Sequence, residues 1–523
     1  MSNREQAGFA LSGLVAQVRQ SVTRYSRSAL FRRSARNSFY NTADYALLPF
    51  LWILSAPIFT KKLGVDQYGV WMLTNTIMGF GGAMAFGLSD ATIKFVAQYR
   101  AANNLKVIQT VIRTSLTLYT LLGAVAAIAI GASSGWLVAH VFHVEPANRK
   151  LAVFAITMGG IGLLVRFLDS VFLSALQGFE RYDTNARVSM VVNVITIGAN
   201  VASVLTGHGL RNILTTIVAM QLAGAIVKGF LLKPLLREHW NLWPLFQKSA
   251  LREISGFGFY SWIQTLGGIF LQQADRFLIA SLLNTEALGY YALCVQLTQQ
   301  IQALLSKAMA FLFPFASVAR QEGDTSKLRS YYFKGLIITI VAAVSMGLPI
   351  FLLSHAILSL WMGPAFAAKT AGVLRLLIVS VTFWSTSIVP YYYMNGVGFV
   401  RMNAASSVLS GLMVVAASLL LIGPYGLMGA ALARLATLPV AIVARTILHH
   451  RVLQDTRWYG GVITLLPVAA CYVAAFLLLA GVGDHIQGVV ALLPAAAAYC
   501  VLGLVLGALS VRLFPLVPSG TPS

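Results

Sequence analysis

The sequence predicts an all-α polytopic membrane protein of about fourteen transmembrane helices, and three observations carry that prediction. Of its 523 residues, 58% are hydrophobic. Only 10% are charged, where a soluble domain carries roughly a quarter. The apolar residues fall into successive runs of the ~20 residues that cross hydrocarbon, and short basic links join them.

The first strongly apolar run begins near Ala43 and lacks the short core and small-residue cleavage pattern of a signal peptide, so it reads as a retained span over 43–60. Further spans follow at 68–90, 114–132, 150–176, 187–206, 213–232, 255–283, 289–313, 332–354, 370–395, 402–423, 427–448, 460–480 and 488–509. Pro49, Pro57, Pro314, Pro349, Pro390, Pro439 and Pro467 fall in or beside these runs, where a missing N–H kinks or ends a helix. No link is long enough for a folded domain outside the membrane, so function is to be sought inside it.

A net charge of +22 does not by itself imply nucleic acid, because the basic residues lie mostly in links between apolar runs and not on one water-facing surface. With the N-terminus placed in the cytoplasm, links on that side hold 27 lysines and arginines and the opposite links hold 6. That is the bias of the positive-inside rule, with both termini cytoplasmic in a multi-pass membrane protein. Residues 1–40 form a basic arm with seven arginines and one acid, either an interfacial helix on anionic lipid or a free tail. Cys294, Cys471 and Cys500 sit inside apolar runs and form neither a disulfide framework nor a thiolate metal cluster. The phosphate-loop pattern is absent, and no cofactor is expected.

The link KKLGVDQYGVW (61–71) is echoed by LLNTEALGYYA (282–292), with Gly69 and Gly289 offset by 220 residues. GHGLRN (207–212) is echoed by PYGLMG (424–429), with Gly209 and Gly426 offset by 217. Two similar offsets so far apart predict a duplicated six-helix unit in parallel orientation. The expected organisation is an arm over 1–40, a bundle over 41–235, a cytoplasmic linker over 236–254, a second bundle over 255–450, and two added spans with a tail over 451–523.

The stretch GGIFLQQADRFLIASLL (267–283) sets Asp275 and Arg276 side by side within span seven. Adjacent helical positions point about 100° apart, so local pairing cannot answer both charges, and at least one must meet a cleft or another span. Arg166 and Asp169, three apart on span four, compensate each other in part. Lys307, Arg375 and Arg434 lie near span ends, where snorkelling is the plain reading and a cavity role the sharper one. Arginine stays charged at any usable pH and its fork suits phosphoryl oxygens, so Arg276 and Arg166 point to an anion site. Gln273, with Gln264 and Gln272, and Gln296, Gln299, Gln300 and Gln302 on span eight offer hydrogen bonds to sugar hydroxyls, with helix–helix bonding as the alternative for each.

The segment ADRFLIASLLNTEALGYYALCVQLTQQIQALLSKAMAFLFPFASVAR (274–320) resembles the seventh and eighth helices of bacterial polysaccharide flippases. These handle O-antigen and exopolysaccharide repeat units, within the superfamily that includes the multidrug and toxic compound extruders. Residues 61–100 resemble their first turn and second helix, and GPYGLMGAALA (423–433) resembles the start of their twelfth helix. The resemblance spreads loosely over residues 37–450. It implies two bundles in a V around a cationic cleft, with no bond made or broken. The lipid would be a polyprenyl-pyrophosphate-linked oligosaccharide, flipped by alternating access from the cytoplasmic to the periplasmic leaflet. Arg276 and Arg166 would attract the pyrophosphate, and the glutamines would line the sugar path. The partners implied are that lipid, the bilayer, and polysaccharide polymerase and export machinery. An ion gradient or consumption of product would give direction.

Two alternatives stand beside this reading. A cation-coupled multidrug antiporter of the same fold needs a carboxylate without a neighbouring cation, for which Asp44 is the candidate. A membrane polymerase or ligase needs a long outward loop with acid–base residues, and the longest such link, around 133–149, holds only His140, His143 and Glu145.

Overall fold

The computed structural model describes residues 51–82, 88–241, 243, 245, 247, 259–454, 460–479 and 489–513. These are helical almost throughout, without a strand among the described residues. Nine helical segments among them are long and apolar enough to cross a membrane, and one of these, Val400–Arg451, carries predicted spans eleven and twelve. The chain is a multi-pass membrane protein. The arm over 1–40 and Asp44 lie outside the described residues.

We number the helices of more than one turn in chain order: α1 (51–63), α2 (Val65–Gly81), α3 (Leu88–Ala101), α4 (Leu105–His140), α5 (Arg149–Gly178), α6 (Tyr182–Leu205), α7 (Leu210–Leu231), α8 (Phe259–Leu282), α9 (Thr285–Met309), α10 (Leu312–Gln321), α11 (Thr325–Leu352), α12 (Ser354–Met362), α13 (Pro364–Ser385), α14 (Ile388–Gly396), α15 (Val400–Ala433), α16 (Leu438–Arg451), α17 (Leu466–Leu479) and α18 (Val489–Leu513). Each predicted span has a helix beneath it, but several helices outrun their apolar run. α4 has 36 residues, about 54 Å at 1.5 Å per residue, well beyond the hydrocarbon. Polar caps carry such helices through their links: the Asn104 side chain accepts from Val107 N at 3.2 Å and Asp324 from Lys327 N at 2.8 Å, each satisfying an orphan donor of a first turn.

Span two differs from its prediction. α2 stops at Gly81, and Asp90, expected at the inner end of that span, lies instead in the first turn of α3. The glycine-rich run after Gly79 looks apolar enough to continue a span. α3 is amphipathic: Leu88, Ala91, Phe95 and Val96 are buried, and Thr92 and Ser89 bond across to Ser115 and Tyr119 of α4 at 2.9 and 2.8 Å. α10 stands after α9 as α3 stands after α2.

Packing centres on α4 against α5 in the first half and on α8 against α15 in the second. α8 and α15 approach through glycine. A Cβ at Gly267 would lie 2.5 Å from backbone atoms of Ser407 and Val408, and one at Gly411 would lie 2.9 Å from the Phe270 Cβ. Small residues allow this close backbone contact, the main source of helix association in lipid. Within α15 the chain reverses at Gly426, with φ 56° and ψ −134°, a conformation essentially confined to glycine. α17 and α18 pack on the second half, chiefly against α11.

The two halves meet at one end. α2 crosses α9 with backbones in contact, since a Cβ at Gly69 would fall 1.7 Å from the Thr285 carbonyl oxygen and one at Gly289 would fall 2.5 Å from that of Val65. Asp66 accepts from the Thr285 hydroxyl and from the Asn148 amide. Glu286 faces Lys369 at 3.7 Å. Backbone bonds from His143 N to Ala280 O at 3.1 Å and from Thr285 N to His143 O at 3.3 Å complete this latch. The two acid contacts are counterparts: Asp66 reaches the start of α5 and Glu286 the start of α13, and the partners Asn148 and Lys369 are offset by 221 residues.

Candidate functional site

The site is built on α8 and α9 and on the break between α15 and α16. At that break the chain forms a single 3-10 turn, Arg434–Thr437, ahead of Pro439. The turn carries Arg434 inward: the side chain is 7% exposed, and Asp275 is 0% exposed. Arg434 Nε donates to Asp275 Oδ2 at 2.8 Å and Nη2 stands 2.7 Å from the same oxygen, an ion-pair contact without hydrogen-bond geometry. The Tyr291 hydroxyl donates to that oxygen at 2.5 Å and accepts from Arg434 Nε at 3.1 Å. Arg434 therefore does not snorkel. It is the partner on another span that Asp275 requires.

Arg276 is left half-buried beside this pair. It lies in electrostatic reach of Asp275, Arg434, Tyr291 and Tyr68, and its Nε has no hydrogen-bond partner. The cluster holds two guanidiniums and one carboxylate, a net charge of +1. Tyr68, from the first half, donates to Gln296 Oε1 at 3.3 Å across the seam between α2 and α9. The charges thus sit just below the latch, where the halves meet.

Further along α8, away from the latch, a cavity of about 640 Å³ opens among α8, α9, α13, α14, α15 and α16. Its size falls in the ordinary range of small-ligand sites. Amides and hydroxyls line much of it: Gln264, Gln272, Gln273 and Gln302, Ser306, Asn403, Ser406, Ser407 and Ser410, with Trp384, Tyr391 and Tyr392. Gln264 is eleven residues from Asp275, about 16 Å along a helix. The cavity occupies the part of each helix next to Lys307, Arg401 and Arg451, so it lies toward the basic end of the molecule.

The remaining predicted residues fall in different places. Gln273 packs its amide on Gly79 of α2 and lines the cavity. Gln300 bonds the Gln296 carbonyl at 3.2 Å, and Gln296, Gln299 and Gln300 are outside the cavity wall. Lys307 is exposed in the last turn of α9. Arg375 Nε donates to Ser354 of α12 at 2.8 Å, apart from the cluster. Arg166 is exposed on α5, a turn beyond Gly162, which faces Met78 and Val218. Its expected partner Asp169 pairs instead with Lys228 of α7 at 2.8 Å, with Lys228 buried. A neighbouring helix outcompetes the i,i+3 geometry, and Lys228 is no link cation.

Arg445 is passed over by sequence reasoning, because AIVARTILHHR reads as the basic end of a span. It is 1% exposed and lines the cavity. Its Nη1 donates to Thr464 Oγ1 at 2.8 Å, and Nη2 to Ser387 Oγ at 2.7 Å and to Thr386. The signal available was its spacing: eleven residues past Arg434, it stands two turns inside α16, a helix that runs on to Arg451.

A latched seam joins two helical halves, with a cationic cluster beneath it and a polar cavity at the basic end of this multi-pass membrane protein. Solved structures share its fold at low identity. The inward closed form of the lipid II flippase MurJ superposes with a TM-score of 0.69 at 12% identity, over 91% of this chain and 98% of that one. An inward-facing multidrug resistance MATE transporter of the MOP superfamily gives 0.66 at 16% identity, over 78% and 96%.

The chain belongs to the polysaccharide biosynthesis protein family, whose model matches residues 34–319. It is 19% identical over 400 residues to a putative O-antigen transporter of Shigella flexneri, covering 76% of this chain and 93% of that one. It is 22% identical over 411 residues to the membrane protein EpsK of Bacillus subtilis (strain 168), covering 75% and 78%.

Proposed function

We propose that this protein, a flippase-type transporter and not an enzyme, moves a polyprenyl-pyrophosphate-linked oligosaccharide from the cytoplasmic to the periplasmic leaflet of a bacterial inner membrane. The observation that carries the reading is Arg276, a half-buried guanidinium with a free Nε in a cluster where one carboxylate meets two arginines. A cationic locus held within the span calls for an anionic group, and a pyrophosphate supplies one that a guanidinium fork fits.

The sugars of such a lipid lose their hydration when they leave water, and the protein has to replace it. The amides and hydroxyls of the 640 Å³ cavity are suited to that, while the prenyl tail stays in lipid between the halves. The bias of basic links supports a cytoplasmic position for the cavity end and both termini. The latch then faces the periplasm, and the conformation described accepts lipid from the inner leaflet. The relative named as an O-antigen transporter and the fold neighbour named as a lipid II flippase support the same class. After transport the glycan passes to polymerase and export machinery.

Asp275 is already neutralised by Arg434, which disfavours it as an exchanging carboxylate; Asp44, the carboxylate an antiporter would use, lies outside the described residues. The test is a leaflet-specific assay in proteoliposomes with a labelled polyprenyl-pyrophosphate oligosaccharide. Protein-dependent transfer of label between leaflets is expected. Transfer equal to that of protein-free vesicles overturns the reading.

A further inference from the structure

Arg445 is the largest fully buried side chain of the described residues. Its three hydrogen-bond partners are all hydroxyls, and no carboxylate stands within ion-pair distance among the described residues. A buried cation without a counter-charge is costly. A purely structural staple between α16, the start of α14 and the 460–463 turn needs hydrogen bonds but gains nothing from a permanent charge.

The hydroxyls are not equivalent. Thr386 and Thr464 spend their protons on the Phe383 and Gly461 carbonyls at 2.6 and 2.8 Å. Ser387 Oγ accepts from Arg445 and its own proton has no acceptor, and Ser387 lines the same cavity. Arg445 keeps Nε without a partner. A guanidinium with an idle donor bonded to a hydroxyl with an idle proton puts two unspent donors side by side, the chemistry that binds an oxyanion.

We propose that Arg445 and Ser387 form an anion subsite in the wall of the glutamine- and serine-lined cavity, which takes a carboxylate or phosphate of the transported glycolipid. The inference rests on the transport reading and adds a second anion contact, on α16 and the α13–α14 junction, apart from the Arg276 cluster. Its chemistry suits an acidic sugar, since the surrounding amides, hydroxyls and Trp384 are groups that hold a sugar ring. The lipid pyrophosphate is the other source of the same chemistry.

The test is equilibrium binding to the purified full chain in detergent at low salt. The probes are a glucuronic acid trisaccharide, its carboxyl-reduced neutral counterpart, and inorganic pyrophosphate. The wild type is expected to bind the acidic trisaccharide at least tenfold more tightly than the neutral one, the size of a charge-assisted hydrogen bond. R445Q and S387A should narrow that gap, and S387A carries the test alone if R445Q fails to fold. If pyrophosphate loses affinity in these variants and the acidic trisaccharide does not, the subsite stands and its anion is the headgroup. If no probe depends on either residue, the subsite is overturned. Flipping of a neutral lipid-linked oligosaccharide at the wild-type rate by S387A would then leave the transport reading intact.

Discussion

Gly69 of α2 and Gly289 of α9, 220 positions apart in the chain, lie against one another where the two halves of the molecule cross. A methyl group on either would enter the other helix's backbone, 1.7 Å from the Thr285 carbonyl oxygen in one case and 2.5 Å from that of Val65 in the other. The same crossing holds Asp66 against Thr285. The proposed transport by alternating access requires it to part.

A disulfide across the crossing should therefore stop transport. In a chain carrying C294A, C471A and C500S, the pair D66C and T285C is expected to cross-link on oxidation. Flipping should fall at least tenfold and return on reduction. An oxidised protein that flips as fast as its reduced form would show that this contact does not open.

Removing the Asp275 carboxylate leaves the buried Arg434 beside the half-buried Arg276 without compensation. D275N should destabilise the protein by roughly 3–5 kcal/mol, the usual cost of breaking a buried pair from one side. The double variant D275L with R434M should recover most of the loss. Thermal unfolding in detergent reads both, and a D275N melting temperature equal to wild type would mean that the pair is not buried in solution.

The crossing of α8 with α15 has no room for a side chain, because the atoms met at Gly267 are backbone. G267V should abolish monodisperse folded protein in detergent chromatography, while G268V, which meets nothing within 4 Å, should elute as wild type. Similar profiles for the two would contradict the crossing.

Outside the membrane, Asp324 caps α11, and its carboxyl is held below the ordinary range first by the Lys327 backbone N–H and then by the Lys327 side chain. A depressed carboxyl contributes stability that is present above its unfolded pKa and lost as the pH falls through the folded value. The protection factor of the Lys327 amide, the intrinsic exchange rate divided by the observed rate at the same pH, should thus be high at neutral pH and fall on acidification below the ordinary carboxylate range. D324A should remove that dependence. A profile identical to wild type in D324A would exclude the cap.

The helices were legible because lipid leaves few options: ~20 apolar residues between basic links are a helix. The requirement at Asp275 and Arg276 was legible too, since adjacent charges on one helix cannot both be answered locally. The identity of the answer was not. Arg434 sits near a span end, and only the 3-10 turn at 434–437, which periodicity does not register, turns it inward. Asp169 was given to Arg166 because sequence shows the neighbour three positions away and not Lys228 on another helix. Arg445 was hidden by the assumption that cations near a span end belong to water.

The central claim is that Arg276 presents an unspent positive charge to the lipid headgroup at the seam. The measurement that tests it most directly is the flipping rate of a labelled polyprenyl-pyrophosphate oligosaccharide in proteoliposomes carrying wild type, R276K or R276A at equal reconstituted amounts. The account predicts that R276A is slower by about tenfold or more, the size of one charge-assisted hydrogen bond, with R276K between the two because it keeps the charge and loses the fork. Equal rates for wild type and R276A would contradict it.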